Sequence, residues 1–215
     1  TLGGLVEVVD VARHRQANFP TAAILTLVAE RQIVAFGGFA LADEDHRGLV
    51  SELLRMTNKE RPRVCFLPTA SADDADYTVI FYEAFSRRAD PTHVVFHPWP
   101  PKDLNERIVG SDLVFVGGGN TANMLAIWRV HRVDAMLREA WEGGAILCGT
   151  SAGMICWFEA GVTDSFGPDL HGMRDGLGFL PGSACPHYDG EELRRPRYHE
   201  LVREGFPAGY AAEDD

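Results

Sequence analysis

The stretch GGAILCGTSAGMICW, residues 143–157, decides how the rest of the sequence is read. Its first half, Ala145-Ile146-Leu147-Cys148, is a short apolar run of the kind that forms a buried strand. The run breaks into Gly149-Thr150-Ser151-Ala152-Gly153 and turns apolar again at once. Ordinary strand ends lead into polar loops. A lone serine bracketed by glycines matches G-x-S-x-G, the sharp strand-to-helix turn that carries a nucleophile. The requirement is steric: residues two positions either side must be small so that the serine can project above the sheet and the helix can pack close. The N–H of Ala152, at the helix start, is then free to meet an oxyanion. The competing reading is a plain strand–glycine–helix junction with Ser151 as its N-cap.

Outward from this turn the chain alternates. RQIVAFGG (31–38) reads as a strand ending in glycines, and ADEDHRGLVSELLRM (42–56) as a helix with Leu49, Leu53 and Leu54 on one face. RVCFLPTAS (63–71), HVVFHPW (93–99), DLVFVGGGN (112–120) and AILCGTS (145–151) read as further strands. Between them lie helical patterns in YTVIFYEAFSRR (77–88), around 102–108, and in one long helix over 121–142. Short apolar strands alternating with helices predict an α/β fold: three layers, with a mainly parallel sheet flanked by helices. From 161 to 183 the chain is rich in Gly and Asp and reads as hairpins and loops. EELRRPRYHELVRE (191–204) reads as a last helix. LVEVVDVA (5–12) fits strand or helix equally. The division expected is an N-terminal segment, 1–30, of undefined role, and one α/β domain over 31–215.

The 215 residues are 46% hydrophobic, enough for one buried core, and carry a net charge of −11. That charge argues against nucleic acid and anionic membranes as partners. No apolar run approaches the ~20 residues of a membrane span, and the first residues do not read as a signal peptide. Cys65, Cys148, Cys156 and Cys185 form no CxxC pair and read as buried free thiols of a reducing cytoplasm.

In parallel α/β sheets, sites form at the carboxyl ends of strands. Here two such ends are glycine clusters, the serine turn and Gly117-Gly118-Gly119-Asn120. The triple glycine lacks the spacing and the lysine of a phosphate loop. One of its N–H groups can instead serve as a second oxyanion donor, which favours acyl transfer. A nucleophilic serine needs a base, and the base an orienting acid. Of eight histidines, His187 in SACPHYDG is the best placed, downstream of the serine and before a polar turn. His14, His46 and His131 lie in charged, helix-like surroundings. His93 and His97 share a strand-like segment whose spacing does not make a metal pair, and His199 reads as an outer helix face. Asp164, Asp169 and Asp175 lie between serine and histidine.

The segments Val116-Gly117-Gly118-Gly119-Asn120-Thr121, Gly149-Thr150-Ser151-Ala152-Gly153 and Cys185-Pro186-His187-Tyr188, in that order, resemble peptidase E, the aspartyl dipeptidase family of serine peptidases with cyanophycinase-like members. The likeness spans residues 31–215. It implies a fold like the class I glutamine amidotransferases with serine at the elbow, and hydrolysis of small peptides without metal or organic cofactor. It also implies Ser151 as nucleophile, His187 as base, Gly118 and Ala152 as oxyanion donors, and Asn120 beside the site. For the acid it offers two positions, Asp164 and Glu213. Asp164 is preferred here on rigidity, since Glu213 lies near the end of the sequence. The arginine that meets an acidic substrate side chain is matched by Arg194, with Arg195 and Arg197 as rivals. The family pattern continues into further sheet at about Asp215, so the chain is either shortened there or has that place filled by LVEVVDVA. The expected activity is hydrolysis of Asp-Xaa dipeptides. Alternatives are broader small-peptide or cyanophycin-type hydrolysis and, from another class, a non-catalytic amidotransferase-like binding module. The sequence leaves the assembly open, a homodimer being one candidate.

Overall fold

Alternation along the strands builds two cores, one on each face of a sheet. In the computed structural model, which describes residues 7–9, 23–28, 31–38, 40–42 and 47–214, β3 (Arg31–Phe36), β4 (Arg63–Leu67), β6 (Leu113–Val116) and β7 (Ile146–Thr150) are almost wholly buried. With β5 (Asp90–His93) they form a parallel five-strand array in the order β3-β7-β6-β4-β5. Val34, Phe36, Val64, Phe66, Leu113, Phe115, Ile146 and Cys148 face one side, under α1 (Arg47–Met56) and α2 (Ala75–Phe85). Ile33, Ala35, Cys65, Leu67, Val114, Val116 and Leu147 face the other, under α3 (Leu104–Val109), α4 (Thr121–His131) and α5 (Val133–Glu142). Period-two burial on both faces is what a sheet sandwiched between helices requires. The three-layer α/β arrangement therefore stands as read from the sequence.

Two antiparallel strands extend this sheet beyond β3. They are β2 (Ala23–Val28), paired along its whole length with β3, and β1 (Glu7–Val9), paired with β2. The described part of LVEVVDVA is thus strand. The remainder of residues 1–30, with His14, lies outside the described residues, as do 43–46 with His46 of the 42–56 helix.

Three elements differ from expectation. The helix over 121–142 is two helices, broken at Arg132, whose φ of 61° is left-handed. A straight helix of that length would run about 33 Å, roughly twice the length of the five-residue strands beneath it. The break lets Trp128 and then Val133, Leu137 and Trp141 all reach the core. The strand read in 93–99 lies earlier, at Asp90–His93. After Val94 N–H donates to Phe66 O, the Asp73 carboxylate takes the N–H groups of Phe96 and His97 and draws the chain off the ladder. The Gly- and Asp-rich segment, read as hairpins and loops, does pair antiparallel with itself, but within a second sheet. Its strands are β8 (Phe158–Thr163), β9 (His171–Met173), β10 (Leu180–Cys185) and β11 (Gly209–Ala211), in the order β11-β10-β8-β9. α7 (Arg194–Arg203) covers it through Tyr198 and Leu201.

The two sheets meet at α6 (Ala152–Ile155) and the residues just after it. Met154, Ile155, Cys156, Trp157 and Phe158 are all buried in the core shared with β3, β6 and β7. All four cysteines are buried and free, and burial pushes their thiols up, Cys65 and Cys185 to about 12. Among the described residues no helix is long and apolar enough to cross a membrane.

Candidate active site

The carboxyl ends of β3, β7 and β6 are neighbours, and each ends in glycine: Gly37-Gly38, the serine turn, and Gly117-Gly118-Gly119. At the centre, Ser151 has φ 55° and ψ −109°, a conformation that L-residues occupy only when their surroundings impose it. The bracketing glycines are obligatory. A Cβ on Gly149 would lie 2.5 Å from Gly153 O, and one on Gly153 would lie 2.3 Å from Val116 O. Ser151 makes no capping hydrogen bond to α6, which removes the N-cap reading.

The Ser151 hydroxyl lies 2.8 Å from Nε2 of His187, and Nδ1 of His187 lies 2.5 Å from Oδ1 of Asp214. The order nucleophile, imidazole, carboxylate is that of a catalytic triad. The carboxylate against His187 is therefore neither of the two expected. Asp164 lines the same depression but makes no bond to the imidazole. Glu213 is one residue off, and successive side chains of an extended segment point to opposite sides.

Asp214 is reached by a segment that crosses from one sheet to the other. β11 pairs with Ser183–Cys185 of β10, then Ala212 N–H donates to Cys185 O and Tyr188 N–H to Ala212 O. The chain next lies against the end of β3, where Gly38 bridges Asp214. A Cβ on Gly37 would stand 2.4 Å from Ala212 O. One on Gly38 would stand 2.0 Å from Asp214 Oδ1 and 3.0 Å from His187 Nδ1, and one on Gly190 would stand 2.1 Å from Asp214 Oδ2. The acid is clamped between two bare glycines, and only glycine leaves room for it. These glycines were the available signal for Asp214: RQIVAFGG reads as a strand ending in glycines, but nothing local says what the glycines make room for.

In the triple-glycine loop, Gly117 N–H donates to Leu67 O and Asn120 N–H to Ala70 O. The N–H of Gly118 faces the hydroxyl of Tyr77, whose pKa burial raises to about 12 against the opposing effect of that contact. Gly119, at φ 132°, lines the depression, and its N–H has no partner among the described residues. Gly119 is thus the loop amide available beside Ala152, in place of the expected Gly118. Gly118 itself packs on the nucleophile, where a Cβ would lie 3.3 Å from that of Ser151. Asn120 lines the depression, but its side chain is committed. Its Oδ1 accepts from Asn123 N–H as the cap of α4, and its Nδ2 donates to Ser165 O.

Of the three arginines, Arg194 is brought to the site. It is buried, donating Nε to Glu191 at 2.6 Å and an Nη to Val162 O at 2.9 Å. Arg195 pairs with Asp189 and lies over the Tyr188 ring, and Arg197 bonds Leu170 O and Glu200. Gly119, Asn120, Ser151, Asp164, His187, Glu191 and Arg194 together line a cavity of about 320 Å³, at the small end of the ~300–1,000 Å³ of ligand pockets. Cys148, three residues before the serine, faces the core under α1 and α2. Asp169 and Asp175 do not line the cavity, and Asp175 pairs with Arg129. Among the described residues no group of three or more His, Cys, Asp or Glu converges as a metal site would.

A family model for peptidase family S51 matches residues 33–215. The chain belongs to peptidase family S51. The S51 chain is 48% identical over 187 residues to a Bacillus subtilis (strain 168) protein named "Uncharacterized peptidase YgaJ", covering 86% of this chain and 80% of that protein. Two solved structures share its fold. One, from Listeria monocytogenes EGD-e, carries a peptidase E designation and superposes with a TM-score of 0.60 at 17% identity, over 80% of this chain and 86% of the other. The other, a peptidase from an acI-B1 Actinobacterium, has a TM-score of 0.61 at 14% identity, over 85% and 80%. The resemblance to peptidase E, and the serine peptidase class of this S51 chain, therefore hold.

Proposed function

We propose that this chain hydrolyses small peptides, dipeptides among them, through an acyl-enzyme on Ser151. The carrying observation is the continuous line of hydrogen bonds from Ser151 Oγ through His187 to Asp214. In this reading the Ser151 hydroxyl oxygen attacks the scissile carbonyl while His187 Nε2 takes its proton. Asp214 holds the Nδ1–H and so keeps Nε2 free to accept. The N–H groups of Ala152 and Gly119 receive the oxyanion. His187 then returns the proton to the leaving amine, and water, activated by the same imidazole, releases the acid product. The cavity's small size supports short substrates, and the four buried thiols support a cytoplasmic setting. An intact triad counts against a non-catalytic binding module.

The Asp-Xaa preference rests on Arg194, the one cation lining the cavity among the described residues. Its pairing with Glu191 neutralises it before any substrate arrives, which favours broader first-residue specificity. We accordingly place Asp-Leu and Ala-Leu within about tenfold of each other, less than the ~1.5–3 kcal/mol of an unshared charge-assisted bond would give. The test has two parts. A fluorophosphonate probe should label the chain and fail to label Ser151→Ala, and kcat/KM should be compared for Asp-Leu, Asn-Leu and Ala-Leu. Absence of labelling would remove the peptidase reading, and a preference for Asp-Leu above a hundredfold would restore the strict aspartyl one.

A further inference from the structure

We infer that Tyr77 is a positioning residue for the oxyanion: its hydroxyl, facing the N–H of Gly118, sets the triple-glycine loop so that the next peptide turns the N–H of Gly119 toward the reacting carbonyl. The inference rests on the peptidase reading above and adds the side chain that fixes one of its two oxyanion donors.

A peptide between two glycines rotates with little steric resistance. Rotation of the 118–119 peptide would bring a carbonyl oxygen to the place of the Gly119 N–H, and an acceptor there opposes the charge an oxyanion hole must stabilise. The loop therefore needs restraint on both sides of that peptide. After it, Asn120 N–H donates to Ala70 O at 2.8 Å, and a Cβ on Gly119 would lie 2.2 Å from the same oxygen. Before it, Gly117 N–H donates to Leu67 O at 3.2 Å. The amide of Gly118 faces the hydroxyl of Tyr77, and so meets a side chain where its neighbours meet backbone carbonyls.

Tyr77 is itself firmly placed. It stands in the first turn of α2, where its N–H donates to the capping carboxylate of Asp74 at 2.6 Å. Its ring meets that of Phe66 edge-on, with centroids 5.0 Å apart. Gly117 makes room for both rings: a Cβ there would lie 2.8 Å from Cε1 of Tyr77 and 3.2 Å from Cε2 of Phe66. Burial pushes the phenol up to about 12, so its oxygen meets Gly118 uncharged and adds no negative charge beside the oxyanion. Tyr77 is not among the residues that line the cavity, so its effect passes through the loop and not through contact with substrate. Gly118 transmits it in two directions. It precedes Gly119, and a Cβ on it would lie 3.3 Å from that of Ser151.

The closing experiment compares the wild type with Tyr77→Phe, which removes the hydroxyl and keeps the ring, and Tyr77→Leu, which removes both. On Ala-Leu, Tyr77→Phe should lower kcat by about 10–100-fold and leave KM within about twofold, since a displaced oxyanion donor costs less than the ~10²–10³-fold of a deleted one. Tyr77→Leu should melt well below Tyr77→Phe, because it also loses the ring packing. Two ligands separate positioning from packing. The adduct of 1-aminoethylboronic acid with Ser151 is tetrahedral and places an oxygen at the oxyanion position. Its affinity should fall in Tyr77→Phe by a factor like that on kcat, while alanine, the trigonal product, should bind both proteins equally. In the wild type, amide exchange followed by NMR should find Gly118 protected and Gly119 unprotected, a reading that needs no variant to fold.

Turnover of Ala-Leu by Tyr77→Phe within about twofold of the wild type would overturn the inference. So would an equal loss of affinity for the boronic acid and for alanine, the mark of a distorted cavity. A Gly118 amide that exchanges as fast as that of Gly119 would overturn it as well. Fluorophosphonate labelling keeps the two levels apart: a wild type and Tyr77→Phe labelled at the same rate sink this inference alone, and an unlabelled wild type sinks the peptidase reading beneath it.

Discussion

The two sheets divide the chemistry between them. The large sheet supplies Ser151 and the loop whose Gly119 amide is free, at the ends of buried parallel strands whose sequence is almost pure apolar run. The small sheet supplies His187, just after β10, and through β11 the segment that carries Asp214. Its strands are short, its pairing slips register between Leu180 and Ser183, and its composition is Gly- and Pro-rich. One half of the site is held by a strand in the middle of a core. The other is held by close backbone approach at three glycines, Gly37, Gly38 and Gly190. Equal catalytic weight can therefore rest on very unequal amounts of buried apolar surface.

The sharpest test of the large-sheet half is Ser151→Ala, expected to cut kcat by about 10⁶-fold with the fold intact. Turnover of one dipeptide with a thermal melt checks both, and residual activity of a few per cent would take the nucleophile role from Ser151. On the small-sheet side, Asp214→Asn should cost about 10⁴-fold in kcat, as loss of the orienting acid does in other triads. Circular dichroism should be unchanged, because Asp214 is a half-exposed side chain outside the apolar core. If Asp164→Asn lost more turnover than Asp214→Asn, the acid would have to be reassigned.

Glycine substitutions compare how the two halves are held. Gly38→Ala or Gly190→Ala forces a Cβ to about 2 Å from the Asp214 carboxylate. A displacement of about 1 Å at a catalytic group costs on the order of 10²-fold in rate, with little change in Tm expected. Gly153→Ala meets backbone inside the core instead, and should lower stability by about 1–3 kcal/mol or more, read by urea denaturation. A matching Tm loss in all three would erase the distinction between the halves. The smallest effect belongs to Glu213→Gln. Removing one surface charge should leave kcat within about twofold and stability within ~0.5 kcal/mol.

The same division explains what could be read from the sequence. The serine turn was legible because its constraints are local: both required glycines stand two residues from Ser151, and the strand before them is unbroken. The parallel sheet and its helices followed from apolar runs with clear spacing. His187 was found by elimination, and Arg194 through the resemblance to peptidase E. Asp214 was not legible, because the residues that select it lie at the end of β3 and after His187, far from it in sequence. Glu213 and Asp214 differ in sequence only by one step of an extended segment, and a one-residue step exchanges which side chain faces the site. The free amide of the triple glycine is Gly119 rather than Gly118 for a related reason: Gly117 and Asn120 donate to Leu67 O and Ala70 O and Gly118 faces the Tyr77 hydroxyl, acceptors that the run itself does not reveal.

The contact between Gly38 and Asp214 joins positions far apart in the chain. Contacts so distant in sequence carry the highest loop-closure entropy and form late in folding. The Ser151–His187–Asp214 line is thus completed only when the segment after β11 settles against the end of β3. In a refolding experiment, recovered hydrolysis should trail recovered ellipticity. A half-folded chain would carry its serine without the means to use it, a safeguard for a hydrolase surrounded by unfolded polypeptide, itself included.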